Sequence, residues 1–449
     1  MFSERFRRIY RSGAAVLCAA GILCGCGCAA IKQNSNTTDN AVNTAPQQTA
    51  SFYETTALSG ADAQNPTTDV TESDSAGTIE ATQPTSSVPE ETSAPAPAQD
   101  PDTAAALDMI FSEYGAVGAQ VAVIKNGAVS AVYSYGTANR AEGIPVTEDT
   151  KYRCASLSKL VTDMVFMRLT ESGVVSETED IGTYLGYRVR NPYHPDTAIT
   201  PRMLMTHTSS LIDSSAFLDS RLNGSSAPLR TLLTGENCYA YGTPGGSYRY
   251  SNFGVAVLGC VCEKAMHTDF ETLAKLYLLN PICIDAAYTA KALKDPSLVG
   301  TLYGSGGMSV SSQMALSFCS ELGQTHHLVQ GNLTISAKDY AKILCVLLNN
   351  GKSGSAQVLT PQSVTAILEN RADDRGRGIG YGTEIIDSVI PGETYYVHTG
   401  SNFGMYSAYA FSPDRRDGAV VLTSGASGSS DGQTEIYDVC LDAIREVLK

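Results

Sequence analysis

A serine hydroxyl is a poor nucleophile until a base takes its proton. The segment RCASLSKLVT, residues 153–162, carries Ser156, Ser158 and Lys159 where an apolar-periodic run begins. On a helix, residues three apart share a face, so Lys159 would stand one turn from Ser156. Ser156 would also lie in the positive end of the helix macrodipole. The plain alternative is a capping serine and a lysine turned to water. The sharper reading needs an enclosed lysine, because burial disfavours its charged form and frees a base. Ser158 reads as a polar residue on the helix face rather than a second nucleophile.

A lone Ser-x-x-Lys recurs by chance, so its weight depends on company. Two further segments supply it. PGGSYRYSNFGVAVLG, residues 244–259, contains Tyr250-Ser251-Asn252, and YYVHTGSNFG, residues 395–404, contains His398-Thr399-Gly400. Lys352-Ser353-Gly354 competes for the third place and has a lysine where His398 stands. It follows a helix end in NNGKSGSAQ, however, whereas TYYV before His398 provides the strand that a cleft edge needs.

A nucleophile, then a Tyr-x-Asn loop, then a Lys-or-His-Thr-Gly strand resembles the serine β-lactamase and penicillin-binding protein superfamily, and most closely its class C and DD-peptidase-like branch. The likeness runs from 101 to the end of the chain. ITPRMLMTHTSSL (199–211) resembles the family's helix that ends in a His-Thr-Ser-Gly-Leu turn, with Ser210 in place of the glycine. GNLTISAKDYAKILCVLLNNG (331–351) resembles its Gly-rich turn and helix. The resemblance implies that Lys159 and Tyr250 together take the Ser156 proton and deliver it to the leaving group. It implies that Asn252 holds Lys159 and the substrate amide, and that His398 and Thr399 face the substrate carboxylate or leaving group. Gly400 would let the strand approach closely, and backbone N–H groups of Ser156 and Ser401 would form the oxyanion hole. A histidine at 398 makes the local charge depend on pH where a lysine would fix it. His207 reads as a turn-fixing residue, and Tyr239, Tyr241 and Tyr248 as cleft lining.

These residues need elements to hold them. AQVAVIKNGAVSAVYSYG (119–136) is two β-rich runs broken at Asn126-Gly127, a hairpin signal. A helix is expected from Ser156 to Thr170, stopped by Gly173, with Leu160, Val161, Met164, Val165 and Leu169 on its buried face. SAKDYAKILCVLLNNG is a helix ending at Gly351. Strands are expected at TYYVHTG, MYSAYAFS and GAVVLTSG, with a closing helix over 434–448. The expected fold class is α+β, β-lactamase/transpeptidase-like: an antiparallel sheet completed by both ends of the chain, flanked by helices, with a mostly helical subdomain inserted at about 170–330.

The chain of 449 residues has a formal charge of −15, which argues against nucleic acid as a partner. Its start reads as an export signal: Arg5, Arg7, Arg8 and Arg11, then a short apolar run ending Leu23-Cys24-Gly25-Cys26. That end resembles a bacterial lipobox with Cys26 as the lipidated residue, which would anchor the protein on the outer face of the cytoplasmic membrane. Residues 27–100 are Ser/Thr/Asn/Pro-rich, with ten acidic residues and one lysine between 30 and 100, and cannot bury a core. They read as a tether for a hydrolase domain over 101–449. The eight cysteines beyond the leader include no CxxC pair, and several lie in apolar helical runs, so most read as buried free thiols. His326-His327 lacks a third ligand nearby, so no metal is expected, and no cofactor. The partners expected are a small-molecule or cell-wall peptide substrate, β-lactams among the candidates.

Overall fold

The Asn126-Gly127 pair bends the chain as its residue types dictate. Both adopt positive φ, 54° and 73°, the geometry that joins two twisted strands through a two-residue turn. The structure is a computed structural model and describes residues 99–222, 227–430 and 434–449. The export signal, Cys26 and residues 27–98 of the tether lie outside the described residues, while Asp100 caps the helix Pro101–Glu113.

The strands before the middle region are β1 (Gly118–Lys125), β2 (Ala128–Asn139), β3 (Ile144–Pro145) and β4 (Tyr152–Arg153). Later come β5 (Thr334–Ile335), β6 (Lys352–Ser353), β7 (Ala356–Gln357), β8 (Ala372–Asp374), β9 (Arg377–Ile379) and β10 (Glu384–Ile386). The last three are β11 (Tyr395–Asn402), β12 (Met405–Ser412) and β13 (Asp417–Ser424). Nine of them form one sheet in the order β3-β2-β1-β13-β12-β11-β10-β9-β8. Its strand pairs are antiparallel, and β1 from the start of the domain lies against β13 from its end, Val121 opposite Val421. This is the β-lactamase/transpeptidase-like α+β architecture, with the sheet closed by both ends of the chain.

Both faces of the sheet are covered. Along β1, Ala122 and Ile124 join the larger core, while Ala119, Val121 and Val123 join a second one, as strand alternation requires. The larger core holds the helices Ser158–Thr170, Asn252–Met266 and Ala337–Leu348. The second lies under the helices Pro101–Glu113 and Asp438–Leu448. The last helix starts at Asp438, not 434, because Tyr437 still has extended backbone, with ψ 133°.

Candidate active site

Ser156 sits in a 3-10 turn, Ala155–Leu157, and the regular helix starts only at Ser158. The expected helix therefore ends where the pattern says but begins two residues later. Ala155 departs from helical backbone there, with φ +49°, a conformation that side-chain-bearing residues adopt at a cost. The turn is clamped from several sides. Ser158 Oγ donates to Ala155 O at 2.6 Å and accepts from Leu333 N at 3.1 Å. Ser407 Oγ donates to Cys154 O at 2.9 Å, and the Tyr340 hydroxyl donates to Leu157 O at 2.7 Å. Ser158 is thus committed to holding the turn, and the half-buried Ser156 hydroxyl is the one presented.

Lys159 is wholly buried, and its Nζ lies among three oxygens: Ser156 Oγ at 3.0 Å, Asn252 Oδ1 at 2.8 Å and Gln330 O at 2.8 Å. Two are carbonyl oxygens that can only accept. An ammonium would donate to all three. A neutral amine keeps two N–H bonds for the carbonyls and must turn its lone pair to Ser156. Burial lowers the Lys159 pKa to about 7, opposed by the Asp213 and Asp163 carboxyls. The arrangement can therefore remove the Ser156 proton near neutral pH.

The Asn252 side chain is oriented by a residue the motifs do not mark. Asn252 opens the helix Asn252–Met266, whose cap Ser251 accepts from Gly254 N at 2.9 Å. Asp213 Oδ2 accepts from Asn252 Nδ2 at 2.7 Å, and its Oδ1 accepts from Phe253 N at 2.8 Å. The amide nitrogen is held away from Lys159 and its oxygen toward it. Gln330 escapes sequence reading for a different reason: it contributes a backbone carbonyl, which any residue type could supply.

Tyr250 stands at the mouth, 36% exposed, its ring 5.0 Å from Lys159 Nζ and its hydroxyl hydrogen-bonded to Ser156. Desolvation of that hydroxyl raises its pKa, so it is a neutral phenol at physiological pH. His207 supports it: the ring centroids are 4.6 Å apart, and His207 Nδ1 accepts from Ser251 N at 3.3 Å. Tyr248 also packs on His207, at 5.8 Å. Tyr239 and Tyr241 do not join them: Tyr239 is buried and donates to Leu233 O, and Tyr241 stacks on Tyr193. In the turn from His207, Ser210 adopts φ +66°, a conformation that glycine reaches more easily, and accepts from Asn191 Nδ2 at 2.9 Å.

β11 closes the cluster. β10 pairs with it only over Tyr395–Val397, so from His398 onward that edge is open. His398 and Gly400 alternate onto the Ser156 face, opposite Tyr409 and Ser407, while Thr399 and Ser401 pair with Ala408 and Tyr406. A Cβ on Gly400 would lie 3.0 Å from Ser156 N and 2.8 Å from Cys154 O, so the strand comes as near as only glycine allows. His398 Nδ1 meets Thr399 O at 2.6 Å, and a carbonyl only accepts, so the proton is on Nδ1. Burial and the nearby Lys159 lower the His398 pKa to about 4. The expected pH-dependent charge is therefore absent near neutrality: the ring is neutral. The competing Lys352 lies in a small exposed hairpin, β6–β7, lining a hollow with Asn126, Gly127 and Arg416.

The Beta-lactamase family model matches residues 95–441. The chain belongs to the beta-lactamase family. Among curated members of this family of hydrolases, it is similar to penicillin-binding protein 4* of Bacillus subtilis (strain 168), 27% identical over 153 residues. That match covers 33% of each chain. It is also similar to esterase EstB of Burkholderia gladioli, 30% identical over 178 residues, 36% of this chain and 45% of EstB. The chain thus matches less than half the length of these relatives. The structure of the octameric penicillin-binding protein homologue from Pyrococcus abyssi superposes with a TM-score of 0.60 at 21% identity, covering 74% of each chain. That likeness is one of fold.

Proposed function

We propose that this chain is an extracytoplasmic serine hydrolase that cleaves amides or esters through an acyl-enzyme on Ser156. The observation that carries the reading is the three-oxygen setting of Lys159. With Asn252 Oδ1 and Gln330 O occupying its N–H bonds, its lone pair has Ser156 as its partner. Lys159 takes the Oγ proton as Oγ bonds to the substrate carbonyl carbon, and the carbonyl oxygen becomes an oxyanion. The Ser156 N–H and the open edge of β11 beside Gly400 receive that charge. As the carbon–heteroatom bond breaks, Tyr250 hands its proton to the departing atom, and the Lys159 ammonium then gives its proton to the Tyr250 phenolate, which resets both groups. Water then attacks the ester carbonyl in the same way, and Ser156 leaves with a proton. The raised Tyr250 pKa and the lowered Lys159 pKa favour Lys159 as base and Tyr250 as acid.

The names of the relatives, a penicillin-binding protein and an esterase, support β-lactams and esters within the substrate range, and the family resemblance adds wall peptides. The basic and apolar leader supports export, with lipidation at Cys26 and the acidic tether holding the hydrolase off the outer face of the cytoplasmic membrane. Brief exposure to a penicillin or an activated aryl ester, read by intact mass beside Ser156→Ala, tests the chemistry. The expected result is an acyl mass or turnover in the native protein alone. Equal behaviour of the two proteins overturns it. Cys26→Ala should move the protein from the membrane to the soluble extracytoplasmic fraction, and unchanged membrane retention would sink the anchor.

A further inference from the structure

Lys159 is held by two carbonyl oxygens from segments far apart in the chain, Asn252 Oδ1 and Gln330 O, both at 2.8 Å. The gap between them has to stay fixed. If either oxygen drifts, the lysine N–H bonds follow it and the lone pair turns from Ser156. Each oxygen has support on its own side. Asp213 accepts from Asn252 Nδ2 and from the Phe253 N–H. Asn332 Nδ2 donates to His327 O at 2.6 Å and Leu328 O at 2.9 Å, and Thr162 Oγ1 donates to Val329 O at 3.2 Å. The turn that leads to Gln330 is therefore stiff. None of these bonds ties Asn252 to that turn.

The helix Asn252–Met266 does meet the turn further along its length. Val329 packs on Gly259, where a Cβ would lie 2.8 Å from Val329 Cγ2, and Gly323 N donates to Glu263 Oε2 at 2.9 Å. Gly259 and Glu263 stand about two and three turns beyond Asn252. At the first turn a third element joins the two. Phe217, in the helix Ser215–Leu222, is wholly buried. Its ring centroid lies 4.8 Å from that of Phe253 and 5.1 Å from that of His327, the latter stacked at 23°. These are the spacings of packed aromatic pairs. Phe253 follows Asn252 directly, and His327 precedes the Gln330 carbonyl on the same stiff turn. Phe217 is also tied to Asp213 through the chain: the next residue, Ser214, accepts from Phe217 N at 3.2 Å through its Oγ. We infer that Phe217 is a positioning residue for the base: its ring spans Phe253 and His327 and so sets the gap between Asn252 Oδ1 and Gln330 O in which Lys159 is held. The inference rests on the reading of Lys159 as base given above and adds a residue that acts through others.

Leucine fills much of the same space but has no flat faces to stack, so the two carbonyls can part. Hydrogen bonds to those carbonyls favour the ammonium, so a loosened pair lets Lys159 give up its proton at lower pH. Acylation of the full-length protein by 4-nitrophenyl acetate, followed by stopped flow across pH 5–9, reads this in Phe217→Leu. The rate at saturation should fall roughly tenfold, part of the loss that a one-ångström misplacement brings. KM should stay within about twofold, as expected when an interaction of the transition state alone is weakened. The pH limb, centred at about 7 in the native protein, should move down. His327→Leu, which removes the other end of the stack, should move it in the same direction. Phe217→Met, an apolar side chain without a ring, takes the place of Phe217→Leu if that variant does not fold, and is read in the same way. A folded variant with the native rate, or one that loses rate while its limb stays or moves up, overturns the inference. So does a limb that moves in Phe217→Leu and not in His327→Leu. Failure of the underlying reading looks different: the native protein itself would show no limb, or would react no faster than Ser156→Ala.

Discussion

At the scale of single residues, the site depends on which atoms own which protons. Lys159 acts as base only when neutral, so acylation should rise with pH along a limb centred at about 7 and level off above it. The sign follows from the lowered pKa: below that value the ammonium has no lone pair for Ser156. Stopped-flow acylation across pH 5–9 reads the limb, and a flat profile would remove Lys159 from the base role. Asp213 tunes this without touching substrate. Its charge favours the ammonium and its oxygens orient Asn252. Asp213→Asn should therefore shift the limb to lower pH, because an opposing anion is gone. Losing a charge-assisted hydrogen bond costs about 1.5–3 kcal/mol, or roughly ten- to a hundredfold in rate. A merely structural role would lower stability and leave the limb in place. Ser156 and Lys159 could be picked out by type and spacing, and Tyr250 and His398 by the resemblance of their motifs to the family's. Asp213 could not, since nothing local distinguishes it from any polar loop carboxylate before the fold brings it to Asn252.

At the scale of elements, the precision lies in how a turn and a strand are pressed together. Ala155 at positive φ shapes the turn, and Gly400 without a Cβ lets the strand meet Cys154 O and Ser156 N on either side of it. Gly400→Ala would drive a methyl against Ser407 Oγ, Cys154 O and Ser156 N, all within 3.0 Å. Displacing the strand by an ångström should cost about a hundredfold in kcat, as misplaced reacting groups do. Near-native kcat would mean that the close approach is incidental. Ser158→Ala should act on stability first, because it orphans the buried Leu333 N–H, at about 1–3 kcal/mol by urea denaturation. Helix ends and the hairpin were readable from sequence because Gly351, Gly173 and Asn126-Gly127 impose local backbone geometry. The start at Ser158 was not: Ser156 and Ser158 are equally good helix openers, and the choice is made by Leu333, Ser407 and Tyr340, all distant in sequence. The absence of regular strand before Lys352 was readable and mattered, since that residue carries the commoner motif.

At the scale of the molecule, one sheet separates two cores with different duties. The core facing Ser156 holds the site helices, and the other buries the helix Asp438–Leu448 against β13 and β12. Along that helix Val439, Cys440, Ala443, Ile444 and Val447 turn inward, a spacing of three and four that the sequence displays. Alternation along β12 sends Tyr409 to the core on the cleft side and Ala408 and Ala410 to the other, so neighbouring side chains of that strand serve different cores. Damage on the far face should therefore separate from damage at the cleft. Ile444→Ala removes a fully buried side chain, which costs about 2–5 kcal/mol depending on how far the cavity collapses. The urea midpoint should fall accordingly while kcat, measured well below the new midpoint, stays within twofold of the native value. Gly400→Ala should show the converse, a large loss of kcat with a small change in midpoint. If Ile444→Ala instead lowers kcat tenfold in fully folded protein, the sheet passes strain from one core to the other and the two faces do not act independently.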